Sequence, residues 1–217
     1  MSSWKVHYLN AGGQLNNLID PIGKCIERAR LKAEEVTSLI AIDVIVQSNP
    51  ENVIEHMGFV GYAPNGMQMH LSIDPENEFL LDNLGEPFER MVVHELHHVL
   101  RWRGPGYGNT LGEALVSEGL AGHFCKQLYS SPPELWECAV PREKFSNYIQ
   151  KISNEWDTPN YNHHEWFFGR GDLPRWLGYS LGYTLVGDYI KQNVGESTAT
   201  LVNEPSTSFK NLLESLF

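Results

Sequence analysis

The run Met91–Leu100 constrains the fold more than any other segment of this 217-residue chain. It reads Met-Val-Val-His-Glu-Leu-His-His-Val-Leu, so apolar residues lie on nearly every side of a helix drawn through it. The flanks favour a helix from Glu86-Pro87 to Gly104, with proline in the first turn, basic residues in the last turn and glycine at the end. A helix that is apolar on nearly all sides is buried, so we expect its four polar side chains to lie in the protein interior.

The remaining pattern predicts an α+β fold in which a small N-terminal mixed sheet with helices precedes a mainly helical C-terminal part. We treat residues 1–217 as one domain with an N-terminal lobe of about 1–104 and a helical lobe of about 105–217. Strands are predicted at Val6–Leu9, Ile40–Val46, Gly58–Tyr62 and Met67–Ile73, the last two as a hairpin around Pro64-Asn65-Gly66. Further helices are predicted at Asp20–Val36, from Thr110 to about Ser130, and at Arg142–Trp156, Arg175–Gln192 and Ser208–Phe217.

Charge and cysteine content exclude several classes of protein. The chain has 16 Lys and Arg against 27 Asp and Glu, a net charge of −11, which repels phosphate backbones and anionic membranes. We therefore expect neither a nucleic-acid partner nor a membrane partner, and no apolar run is long enough to cross a bilayer. Three cysteines without a CxxC pair are typical of reduced thiols, which predicts a cytoplasmic protein.

The polar residues of the buried helix form the pattern HExxH, with His94 and His98 as its histidines. Residues four apart lie one helical turn above each other, so both imidazoles can reach one metal ion. Glu95 lies one step round the helix and can reach a water bound to that ion. His97 faces away from Glu95, and we expect it to have a supporting or core role.

A catalytic zinc ion needs a third protein ligand, and Glu118 is the obvious candidate. It lies within the helix predicted to begin at Thr110, and its neighbours three and four residues away are small or apolar. A carboxylate on such a stripe is costly unless it is paired or coordinates a metal. A structural salt bridge is the alternative. Glu113, by contrast, is explained by a capping box with Thr110.

These residues carry a family resemblance. HExxH followed by a glutamate 20 residues after the second histidine resembles the gluzincin metallopeptidases, which include thermolysin. Over roughly Met67–Asn193, the chain also resembles the YjaZ-like family of predicted zinc-dependent proteases. Three motifs carry this resemblance: His-Glu-Leu-His-His-Val-Leu-Arg, Leu-Val-Ser-Glu-Gly-Leu-Ala and Pro-Arg-Trp-Leu-Gly-Tyr-Ser-Leu-Gly-Tyr.

The resemblance implies a zincin-like fold, one Zn²⁺ per chain held by His94, His98 and Glu118, and Glu95 as the catalytic base. This chain departs from the thermolysin pattern at Gly122, where an aspartate that orients a histidine is expected. Another group must then hold the imidazole.

The implied reaction is hydrolysis of a peptide bond by Glu95-assisted attack of a zinc-bound water. It needs a donor for the oxyanion, and we favour Tyr179 or Tyr183, one turn apart on the helix after Pro174. Gly178 and Gly182 leave close helix packing as an alternative role for both tyrosines. The loop-like stretch around His163-His164 could supply the donor from a lid, but is interpreted mainly as surface.

A peptide or protein is the predicted substrate, and Met67–Ile73 is either an edge strand that pairs with it or a plain hairpin strand. Two other functions stay open. One is a zinc hydrolase of a non-peptide amide or ester. The other is a non-enzymatic, chaperone-like regulator with zinc, which Glu95 argues against because a structural zinc has no use for a general base. The oligomeric state is not determined by the sequence.

Overall fold

The computed structural model describes residues 4–213, and its architecture is α+β, as predicted. The strands are β1 (Trp4–Leu9), β2 (Ile42–Ser48), β3 (Phe59–Asn65) and β4 (Gln68–Ile73). The α-helices are α1 (Ile19–Glu34), α2 (Leu80–Asn83), α3 (Glu86–Arg101), α4 (Leu111–Tyr129), α5 (Ile149–Glu155), α6 (His163–Phe168), α7 (Leu177–Gln192) and α8 (Thr207–Leu213). The chain divides into two units, Met1–Arg103 and Gly104–Phe217, which are described separately. A single domain over 1–217 stays a prediction.

The first unit contains one mixed four-stranded sheet of order β1-β2-β4-β3. β2 pairs in parallel with β1 and β4, and β3 pairs antiparallel with β4, so the predicted hairpin is confirmed. Of the two alternatives for Met67–Ile73, the plain hairpin strand is observed and the edge strand is wrong, because β4 is paired on both sides. Leu71, for example, pairs with Val46 of β2 and with Gly61 of β3. The edge strands are β1 and β3.

Helix α3 packs against β3 and β4, and also contacts α1. Phe88 near its start meets Phe59 of β3 edge to face, with ring centroids 4.9 Å apart. Just past its end, Trp102 Nε1 donates a hydrogen bond of 2.9 Å to the carbonyl of Ala63. These contacts fix the helix along β3, so the side chains in the middle of α3 lie against that strand.

Helices α4 and α7 form the centre of the second unit. The predicted capping box opens α4, with reciprocal hydrogen bonds between Thr110 and Glu113. A β-carbon at Gly119 of α4 would overlap the carbonyl of Gly182 in α7, so the two backbones approach closely. The close packing considered for the Gly178/Gly182 face of α7 is therefore observed, and it fixes the helix next to α4.

Two predictions for this unit, one helix and one loop, differ from the structure. Arg142–Trp156 is split into a 3₁₀ segment, Arg142–Asn147, and α5, because Tyr148 between them has φ −116° and ψ −5°. The stretch predicted as a loop around His163 is helix α6: the side chain of Asn162 accepts a hydrogen bond from the Glu165 N–H, and Gly169 ends the helix at φ 65°. Residues 214–217 of the last predicted helix lie outside the described residues.

All three cysteines are thiols. None of the helices within residues 4–213 has the length and apolar character needed to span a bilayer. The cytoplasmic location stays a prediction.

Candidate metal centre

His94 and His98 turn their ring nitrogens toward each other across one turn of α3. Their Nε2 atoms are 3.0 Å apart, and the rings are nearly perpendicular at 83°. Two nitrogens bound at about 2.05 Å to a tetrahedral zinc ion would be about 3.3 Å apart. The pair is therefore close to the arrangement that a shared ion requires. His98 is only 4% exposed, while His94 is half-buried and more accessible.

The Glu95 carboxylate lies against the backbone of β3. It is 6% exposed, and a β-carbon added to Gly61 would lie 2.9 Å from both its Cδ and its Oε1. Only glycine at position 61 leaves room for this carboxylate. His97, on the same helix, is fully buried, which is compatible with its expected core role.

We expect Gly61→Ala to lower the catalytic rate by about 10²-fold, because a displacement of a reacting group by about 1 Å costs that much. The zinc content should not change, because the substitution displaces Glu95 and leaves His94 and His98 in place. The measurement is the rate of peptide hydrolysis beside zinc content by elemental analysis. Gly85→Ala is the matched control, since its β-carbon would meet nothing within 4 Å. An unchanged rate in Gly61→Ala would contradict this placement of Glu95.

Glu118 lies on α4 in the second unit and is 7% exposed. The Tyr107 hydroxyl donates a hydrogen bond of 2.6 Å to its Oε1. Burial, together with the Glu118 charge, raises the pKa of Tyr107 well above its usual value, so the hydroxyl keeps its proton and stays a donor. Tyr107 is tied to α4 a second time, because Ser117 Oγ donates a hydrogen bond of 2.6 Å to its carbonyl. Sequence reasoning missed Tyr107, which lies in a loop without periodicity.

Within residues 4–213, His94, His98 and Glu118 form a group that could hold a metal ion, since one ligand atom from each lies within 4.8 Å of the others. Two imidazole nitrogens and a carboxylate oxygen are a ligand set typical of catalytic zinc. The donors thus fit the metal that the sequence predicts.

The two candidate oxyanion donors differ in their surroundings. Tyr179 packs edge to face on Phe167, with ring centroids 4.9 Å apart. Tyr183 instead stacks on His123 at 4.0 Å, and its hydroxyl is buried without a hydrogen-bond partner in the described part of the chain. Both tyrosines stay predictions as catalytic residues.

Gly122, where the thermolysin pattern has an aspartate, leaves space for another carboxylate. A β-carbon at this position would overlap Oε1 of Glu137, a residue that is 6% exposed. The other oxygen of Glu137 accepts a hydrogen bond of 2.7 Å from the Glu134 N–H. A buried carboxylate therefore lies one turn along α4 from Glu118, supplied by a residue that the sequence analysis did not consider.

Comparison with known proteins identifies the family of this chain. The family described as "Predicted Zn-dependent protease (DUF2268)" matches residues 20–211. The chain belongs to this family. The YjaZ-like resemblance is confirmed by the uncharacterized protein YjaZ of Bacillus subtilis, which is 28% identical over 126 residues, or 55% of this chain and 48% of YjaZ. The chain thus spans about half the length of this curated relative. No solved structure matches the chain.

Proposed function

We propose that this protein is a zinc-dependent metallopeptidase with a zincin-like fold. The observation that carries the proposal is the arrangement on α3, where His94 and His98 converge at 3.0 Å while the Glu95 carboxylate lies buried on β3. Two facing imidazoles and an adjacent carboxylate on one helix are the side chains that a catalytic zinc site of the HExxH type requires. Membership of a family described as predicted zinc-dependent proteases supports the same conclusion.

The proposed ligands are His94, His98 and Glu118, with one zinc ion per chain. The hydrogen bond from Tyr107 supports the role of Glu118, because it fixes one carboxylate oxygen and thereby orients the other. Hydrogen bonds of this kind to a ligating carboxylate commonly tune both the geometry and the affinity of a metal site.

When bound, zinc would supply the Lewis acidity that polarises a carbonyl and lowers the pKa of a coordinated water toward neutrality. The protein's own contribution centres on Glu95. Its carboxylate accepts the proton from the attacking water and then delivers it to the leaving amine, so that one group acts as base and as acid. Its position against β3 holds it still, which reduces the reorganisation needed during the reaction.

A peptide would bind along the edge of β3 that does not pair with β4, beyond the bridge at Phe59. The Phe59 carbonyl accepts a hydrogen bond of 3.1 Å from the Ile54 N–H outside the β3–β4 ladder, so the polar groups of Phe59 face that edge. Backbone groups alternate along a strand, and the N–H and C=O of Gly61, two residues on, face the same edge. An extended substrate pairing with Gly61 would bring its backbone next to Glu95. This edge replaces Met67–Ile73 as the predicted substrate strand.

Zinc analysis and peptide hydrolysis test the proposal together. We expect one zinc per purified chain, hydrolysis of labelled casein or of a pool of quenched fluorescent peptides, loss of this activity with a chelator, and recovery on adding zinc. A zinc-loaded protein that cleaves esters or non-peptide amides but no peptide would contradict the peptidase in favour of another zinc hydrolase. Failure to bind zinc would contradict the whole proposal.

A further inference from the structure

Tyr161 and His163 form a hydrogen-bonded pair at the start of α6 in the second unit. The Tyr161 hydroxyl and the Nδ1 atom of His163 are 2.8 Å apart. Burial raises the pKa of Tyr161, with a further contribution from the Glu118 charge, so the hydroxyl keeps its proton. With the hydroxyl as the donor Nδ1 is the acceptor, because the role of each atom depends on the imidazole tautomer. The neutral imidazole then carries its own proton on Nε2.

The state of His163 favours this neutral form. Burial lowers its pKa, the Glu118 charge opposes that effect, and His164 adds to it. The Nε2 atom of His163 has no hydrogen-bond partner within residues 4–213 and is not among the buried polar atoms that lack one. In the Nε2–H tautomer this atom carries an N–H that is accessible to a ligand.

The ring is held by packing on its own helix and on α7. It stacks on Phe167 at 4.5 Å with an interplanar angle of 15°. Phe167 is fully buried, and it meets the backbone at Gly178, where a β-carbon would lie 2.8 Å from the Phe167 ring. The orientation of the imidazole is thus set by a rigid aromatic support, which is what a preorganised donor requires.

The location of the pair relates it to the proposed ligand of the same unit. Phe167, on which the His163 ring stacks, meets α7 at Gly178, and one turn further along α7 Gly182 meets the α4 backbone at Leu115, one turn before Glu118. Burial raises the pKa of Tyr161, and the Glu118 charge adds to that rise. Burial raises the pKa of Tyr183, with smaller contributions from Glu137, Cys125 and Cys138. His163 thus combines a ring fixed by packing with an accessible ring nitrogen.

We propose that His163 donates the hydrogen bond that stabilises the oxyanion developing on the substrate carbonyl, and that Tyr161 positions it by holding Nδ1 as an acceptor. The inference rests on the proposed peptidase function. It assigns the donor to α6 in place of Tyr179 or Tyr183 on α7. His163 neither gains nor loses its proton in this role, because a neutral donor is sufficient to stabilise the oxyanion.

The first test is independent of activity. Imidazole ¹⁵N NMR of the metal-free protein is expected to find His163 as the Nε2–H tautomer, with a mixture of tautomers in Tyr161→Phe. The exposed neighbour His164 should give the same spectrum in both proteins. An Nδ1–H tautomer in the wild-type protein would overturn the inference.

The second test is kinetic and uses the most rapidly cleaved peptide of the fluorescent pool. We expect His163→Ala to lower kcat by about 10²–10³-fold with little change in KM and unchanged zinc content. His163→Gln, whose amide can place an N–H near the Nε2 position, should recover part of the loss, whereas His163→Asn should not. His164→Ala is the control.

Retention of wild-type kcat in His163→Ala would overturn the inference alone, provided that Glu95→Gln abolishes cleavage of the same peptide. Absence of any hydrolysis in the wild-type protein would instead contradict the proposed function. The two failures are thereby distinguished.

Discussion

Glu95→Gln is expected to reduce peptide hydrolysis by about 10²–10⁴-fold while leaving the zinc content at one ion per chain. Glutamine has the same shape and fits the space beside Gly61, but it cannot accept a proton from the attacking water. The loss should therefore appear in kcat, with KM almost unchanged. The measurement is steady-state hydrolysis of a fluorescent peptide on protein whose zinc content has been determined.

Glu86→Gln is the matched control, because Glu86 is an exposed carboxylate at the start of the same helix. It should retain the wild-type rate. A Glu95→Gln variant that keeps more than a tenth of the activity would rule out Glu95 as the general base. If every biological activity of the protein also survived, a zinc-containing regulator would become the better description.

Removal of a metal ligand is expected to have a different signature. Glu118→Ala and His98→Ala should each lose bound zinc on purification, since three protein ligands are the minimum of a catalytic zinc site. Hydrolysis should disappear with the metal. The decisive measurements are zinc stoichiometry by elemental analysis and a competition titration of zinc against a chromophoric chelator.

Tyr107→Phe provides a graded version of the same experiment. It removes the 2.6 Å hydrogen bond to Glu118 and keeps the ligand, so we expect zinc affinity to fall by about 10–100-fold. Glu143→Ala, which removes an exposed carboxylate of the second unit, should bind zinc like the wild-type protein. Full zinc occupancy and affinity in both Glu118→Ala and His98→Ala would refute the assignment of the metal site.

Features that depend on contacts within one helix were predictable from the sequence. The HExxH spacing, the proline at the start of α3 and the Thr110–Glu113 capping box are local patterns, and each fixes structure within one or two helical turns. The placement of His94, Glu95 and His98 follows from the same local geometry. Glu118 could be selected because a carboxylate on an apolar stripe is costly without a partner.

Contacts between segments that no periodic pattern links were not predictable. Tyr107 and Glu118 are 11 residues apart, and Glu137 reaches the backbone of Gly122 from a separate segment. No periodicity links such pairs, because their contacts depend on how loops return to α4. His163 was considered as a donor on a loop, but its place on a helix and its pairing with Tyr161 were not predicted, because the short helix α6 is marked only by the capping residue Asn162 and the closing Gly169.

The sequence by itself determined the α+β class, the helix that carries HExxH, and the type of metal that its donors suit, because these properties depend on neighbouring residues and side-chain chemistry. Tertiary structure alone decided which strand is an edge. β3 and β4 have similar local patterns, and only the pairing of β4 with β2 makes β3, which lies beside Glu95, an edge strand of the sheet. Strand order is a property of long-range pairing, whose free energy comes from burial shared among distant segments, so a local reading of residues cannot supply it.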